Sequence, residues 1–176
     1  MQLFLIILRN VAIAIAIIYV LLIIVSVSFV WSFASILSHH NNDLTVIMAN
    51  KKDNLENLAD LLTSSGVKLE KKNVEALNDF DLSNIKSQSS EEAKLAREKL
   101  TSLTEYFLTA STAHESELNQ EKYQAIMMRI NELDKVYRDR LMMYNADVLG
   151  YNFWISFFLT RYIYKILKRK TKDIIS

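Results

Sequence analysis

Residues 11–37 read VAIAIAIIYVLLIIVSVSFVWSFASIL, without one charged side chain. Crossing a bilayer takes roughly 20 predominantly apolar residues at ~1.5 Å of rise each, and this run is longer than that. A soluble core helix is seldom apolar on every side for so long, because its outer face must meet water. The apolar stretch from Leu3 to Leu8, ahead of Arg9, extends the run further. Residues 1–38 are therefore expected to form a transmembrane anchor. A cleaved signal peptide has an apolar core of about 7–15 residues after a basic start. Here the core is longer and no basic side chain precedes Arg9, so an uncleaved anchor is expected.

Composition sets the fold class. The 176-residue chain has no proline and two glycines, Gly66 and Gly150. A β-rich fold of this length needs many tight turns built from Gly, Pro and Asn-Gly, whereas nothing here interrupts long helices. The expected class is all-α. Cysteine is absent, which rules out disulfides, thiolate metal sites and a cysteine nucleophile. The net charge of +1 by itself argues neither for nor against a nucleic-acid partner. The distribution of charge says more. Arg9 precedes the apolar run while Lys51 and Lys52 follow it. By the positive-inside rule this balance places the C-terminal domain in the cytoplasm of a single-pass protein.

Residues 39–149 read as a helical bundle domain. Leu44, Met48, Leu55, Leu58 and Leu62 share one helical face, with Lys51 in the vacant position. Ser64-Ser65-Gly66 predicts the C-terminal cap of that helix. A short helix within 67–80 would turn Val74 and Leu77 inward, and the polar stretch 81–90 reads as a flexible connection. Ser89 and Glu92 have the spacing of a capping box. They precede Ala96, Leu100, Leu103, Phe107, Ala110 and His114, whose steps of 4 and 3 mark a coiled-coil-like seam. After a turn at 114–119, Tyr123, Met127, Ile130, Leu133, Tyr137, Leu141, Tyr144 and Val148 continue such a seam over 120–149. Aromatic residues at this spacing are read as core rather than as a ligand pocket, their hydroxyls finding partners at the bundle edge. Asn145 is expected to serve the turn after that helix.

Residues 150–176 form an aromatic and basic amphipathic segment. The uncharged stretch from Val148 to Thr160 is 13 residues long, short for a span. Trp154, Phe153, Phe157, Phe158, Tyr162 and Tyr164, together with Arg161, Lys165, Lys168 and Arg169, suit a helix lying at a membrane interface. A second span would have to bury Arg161 and Lys165 or let them snorkel. The basic cluster, which also includes Lys170 and Lys172, suits an anionic inner leaflet better than a nucleic acid.

No catalytic, cofactor or metal constellation emerges. Two distant glycines exclude a Gly-rich phosphate loop. His114-Glu115 begins like a zinc-protease helix, but Leu118 stands where the second histidine is required. His39-His40 beside Asp43 reads as a polar boundary of the span, with a metal or pH-sensing role as the lesser alternative. Glu91-Glu92 suits a helix start. No glutamate has a histidine three residues later, as di-iron bundles require.

Arg129-Ile130, Tyr137, Tyr144-Asn145 and Tyr151 follow the order of the last helix of the LemA family, which the chain resembles. Leu100-Leu103-Phe107 is similar to the family's preceding helix, and Trp31-Ser32 with Asp43-Leu44 to its N-terminal stretch. Val46 and Asn152 stand where that family has prolines. The resemblance implies one span and a cytoplasmic bundle of long antiparallel helices, without enzymatic activity. The expected protein is thus a non-enzymatic interaction or scaffold module at the inner membrane surface. Its partners would be the lipid bilayer and a membrane or cytoplasmic protein, and a homo-oligomer is compatible with the pattern. The alternative is a membrane-remodelling or pore-associated protein that uses both ends of the chain.

Overall fold

The computed structural model of the chain describes residues 2–83, 85, 90–157 and 160–175, with the side chains of Leu3 and Glu117 excepted. Among the described residues the fold is all-α, without strands. The helices are α1 (Gln2–Ser64), α2 (Lys71–Asn78), α3 (Glu91–Ala113), α4 (Gln120–Ser156) and α5 (Arg161–Ile166), with a 3-10 turn at Glu115–Glu117. The chain forms two compact units. An anchor unit combines Met1–Ser38 with Ala146–Ile174, and a bundle unit combines His39–Asn145 with Ile175–Ser176. Helices α1 and α4 each contribute to both.

In the bundle unit α1 and α4 run antiparallel. Asp43 pairs with Arg140 at 3.8 Å and Lys51 with Asp134 at 2.6 Å, so partners on α4 retreat as α1 advances. Leu44, Met48, Leu55, Leu58 and Leu62 are all buried, as their spacing predicts. Lys51 fills the gap in that face by reaching Asp134. The core joins Met48, Leu55, Leu58 and Leu62 to Leu77 and Phe80, to Leu100, Leu103 and Phe107 of α3, and to Tyr123 and Ile130 of α4. Val74 is half-buried and Leu77 buried on the expected short helix. At Asp81 the carboxylate accepts the backbone N–H and hydroxyl of Ser83, and these bonds hold its pKa below the ordinary value. Of the connection expected at 81–90, residues 84 and 86–89 lie outside the described residues.

Helix α1 stops where Ser64-Ser65-Gly66 predicts. Gly66 takes φ +86°, Val67 N–H bonds Leu62 C=O at 3.1 Å and Gly66 N–H bonds Thr63 C=O at 3.0 Å. This is a Schellman cap, and the residue at its left-handed position is favoured as glycine because it has no Cβ to clash.

Two details of α3 differ from expectation. Its N-cap is Ser90, whose Oγ accepts Ala93 N–H at 3.2 Å; Ser89, expected in that role with Glu92, lies outside the described residues. The buried face is also turned. Ala93, Leu100, Thr104, Phe107 and Ser111 are buried beside Leu103, while Ala96, Ala110 and His114 only flank them. Thr104 and Ser111 can go inside because their hydroxyls bond the carbonyls of Leu100 at 2.6 Å and Leu108 at 2.9 Å.

Helix α4 passes the expected end near residue 149 and continues to Ser156. Gly150 lies within it because Phe33 packs there: a Cβ at residue 150 would stand 2.6 Å from Phe33 Cζ.

Candidate functional site

The anchor unit holds one helix long and apolar enough to cross a membrane. Phe4, Ile7, Ile13, Ile15, Ile18 and Leu21 are all exposed, Ile15 at 61%. Exposed apolar surface on this scale is unfavourable in water and marks contact with another apolar phase. Burial begins at Ser26, which is fully buried, and continues at Val30 and Leu37.

Within the anchor unit, α1 packs from Ser26 to Phe33 against the end of α4 together with α5. Trp154 stacks on Phe29, centroids 4.8 Å apart and rings 4° from parallel. Phe157 packs against Trp154 and Phe153, both at 5.9 Å. Ser26 Oγ shares a 2.7 Å hydrogen bond with Tyr164 Oη and donates a longer one to Thr160 Oγ1 at 3.4 Å. These three buried polar groups satisfy one another, which permits their burial.

The expected interface residues have three kinds of placement. Trp154 and Phe157 pack inside the anchor unit, so they are half-buried rather than presented outward; the outward aromatics are Phe153 and Tyr162. Phe158 lies outside the described residues. The cations face outward: Arg161 lies over the Tyr162 ring at 5.0 Å and Arg169 over Trp31 at 6.0 Å, while Lys165 and Lys168 are exposed. Among the described residues no ion pair joins any of Arg161, Lys165, Lys168, Arg169, Lys170 or Lys172 to an acid.

After α5 the chain reverses. Lys168 takes φ +52°, with Arg169 N–H on Tyr164 C=O at 2.9 Å and Lys168 N–H on Lys165 C=O at 3.2 Å. This repeats the Schellman pattern with lysine in the position glycine usually takes. The following segment is fastened to α4. Asn152 Oδ1 accepts Lys172 N–H at 2.8 Å, and its Nδ2 donates to Lys172 C=O at 2.7 Å. The Lys172 ammonium sits 5.6 Å from the Tyr151 ring centroid. Burial, and secondarily the charge of Arg169, lower its pKa.

The family-like residues fall on both units. In the bundle unit, Arg129 is exposed and pairs with Glu132 at 3.4 Å, Ile130 is fully buried, and Tyr144 is 1% exposed. The Tyr144 hydroxyl is buried with no partner among the described residues, contrary to the expectation of partners at a bundle edge. Tyr137 is half-buried, and burial raises its phenol pKa against the opposing effect of Arg97. It borders a groove of about 540 Å³, lined also by Met48, Lys51, Arg97, Leu100 and Leu141. Asn145 lies inside α4 rather than at a turn. There it repeats the clamp, accepting Ile175 N–H at 2.9 Å and donating to Ile175 C=O at 2.8 Å. Tyr151 is buried in the anchor unit. His39 faces Asp43 at 3.7 Å, and no metal-binding group of three or more ligands occurs among the described residues.

Sequence reasoning missed Ser26, Thr160 and the clamping role of Asn152, and it read Tyr164 as an interface aromatic, whereas Tyr164 is buried. The available signal was Asn145 and Asn152 at a seven-residue interval, a repeat of one helical position. The class defined by fold and site is, among the described residues, an all-α chain with one membrane-length apolar helix. No family model, curated protein or solved structure matches the chain.

Proposed function

We propose that the chain is a LemA-like, single-pass membrane protein. Its bundle unit would act in the cytoplasm as a protein-interaction or scaffold module at the inner membrane surface. The carrying observation is the contrast between the uncovered apolar surface from Phe4 to Leu21 and the packed core of the bundle unit. Hydrocarbon is the solvent suited to the first, and the second supplies a folded body to present to a partner. The orientation rests on Lys51 and Lys52 against Arg9. The likeness to LemA rests on the order Arg129-Ile130, Tyr137, Tyr144-Asn145 and Tyr151 along the sequence of α4. No catalytic activity is part of the proposal. Reporter fusions at the C-terminus and after Gly66 test it: both should report cytoplasmic, and an external signal from either would sink the orientation. Pulldown from membranes should recover a specific protein, and recovery of lipid alone would count against an interaction module.

A second reading, membrane remodelling or association with a pore, draws support from exposed Phe153, Tyr162, Ile166 and Leu167 beside the exposed cations Arg161, Lys165, Lys168 and Arg169. It requires vesicles carrying the full chain to leak or change shape, and unaltered vesicles would eliminate it.

A further inference from the structure

The segment that follows α5 is held by an unusual division of labour. Asn152 grips only the backbone of Lys172, taking its N–H and its C=O with a single carboxamide. No side chain of the segment is used in those bonds, and the next fixed point is Ile175, buried and held the same way by Asn145, so the displaceable stretch is the one between Lys168 and Ile175. A clamp of two neutral hydrogen bonds is modest in net strength, because release returns both partners to water. The hinge before it is strained, since Lys168 holds φ +52° with a side chain present.

The charges oppose docking as well. Docking carries the Lys172 ammonium onto the Tyr151 ring and Arg169 onto Trp31. Lys168 and Lys170 are close by in sequence, and the acid of the segment, Asp173, is exposed. A half-buried ammonium among like charges, with no counter-ion among the described residues, is a costly arrangement. Cation–π contact offsets part of that cost. The Lys172 ammonium, half-buried over the Tyr151 ring, is withheld from headgroups while the segment is docked. An anionic bilayer attracts each basic residue near its surface, and the contributions accumulate.

Building on the membrane-anchored reading, we propose that residues 169–174 are a displaceable strap, clamped on α4 by Asn152 and drawn off by anionic lipid headgroups. The opposing sides are unequal in kind. The clamp is fixed and nearly charge-independent, whereas the pull scales with the anionic lipid content of the surface. The strap therefore reports lipid composition, and its release uncovers Tyr151 and Asn152 on α4.

The test uses the full chain in nanodiscs, comparing phosphatidylcholine alone with phosphatidylcholine plus phosphatidylglycerol. Amide exchange at Lys172 is the readout. Exchange should rise about tenfold or more in the anionic discs, the scale expected when local opening is favoured by several accumulated charges. Asn152→Ala should exchange fast in both discs, with α3 amides unchanged as proof of folding. Lys168→Gly relieves the hinge and should retain more protection in anionic discs than the wild type. Equal Lys172 exchange in the two discs, or slower exchange in the anionic ones, overturns the strap while leaving the anchor standing. Release in neutral discs by inorganic phosphate at matched ionic strength overturns the lipid surface as the trigger. Failure of the chain to enter either disc overturns the anchored reading and the strap with it.

Discussion

The two halves of α1 obey opposite rules. From Phe4 to Leu21 the large apolar side chains are exposed on every side, whereas from Leu44 to Leu62 the apolar face is buried and the rest is polar. Helical backbone is common to both, so hydrogen bonding and propensity do not distinguish them. The difference lies in the solvent each half is built for. An all-round apolar helix gains nothing from a protein partner that hydrocarbon does not already supply. A one-faced helix must bury its stripe against other helices. Apolar content alone is therefore a poor guide to burial along this chain.

The sharpest way to break that comparison is to shorten one side chain in each half. Leu58→Ala should cost the bundle unit about 2–5 kcal/mol, because Leu58 is fully buried and its loss leaves a cavity. Ile15→Ala should leave the same unfolding transition within about 0.5 kcal/mol of wild type. Urea titration in micelles, followed by bundle tyrosine fluorescence, measures both. Equal losses would erase the distinction between the halves.

A charge sharpens it next. Ile15→Lys should oppose insertion by about 2.5–3.5 kcal/mol, lowering the membrane fraction after carbonate extraction and leaving the bundle folded in what remains. A full membrane fraction would show that this half of α1 is not immersed in hydrocarbon.

Within the bundle, removing a hydroxyl should help. Tyr144→Phe deletes a buried group with no partner among the described residues, and a gain of about 1 kcal/mol in the same titration is expected. A loss of that size would mean the hydroxyl is bonded.

The smallest effects contrast the two Schellman caps. Gly66→Ala meets open space but a positive φ, and should destabilise by about 1 kcal/mol. Lys168→Gly, at φ +52°, should stabilise by about 0.5–1 kcal/mol. Thermal unfolding of each variant checks the signs, and the same sign for both would refute the shared geometry.

Much of this was legible beforehand. The membrane-length run, the all-α class, the face through Leu44, Leu58 and Leu62, the stop at Gly66 and the α4 seam through Ile130 and Tyr144 all follow from composition and period. These are local properties, set by the chain's own backbone and by which side chains water rejects. Three features needed the tertiary structure. Thr104 and Ser111 count as polar in any pattern, yet they lie inside because their hydroxyls turn back to carbonyls of their own helix. Gly150 looks like a helix end, yet α4 runs through it because Phe33 occupies the space of a Cβ. Asn152 looks like a lost proline, yet it holds the backbone of Lys172, 20 residues on. For Gly150 and Asn152 the role is assigned by a partner far along the chain, and periodicity carries no information about such a partner; for Thr104 and Ser111 the bonding is local, and the packing of α3 decides which of its faces is turned inward.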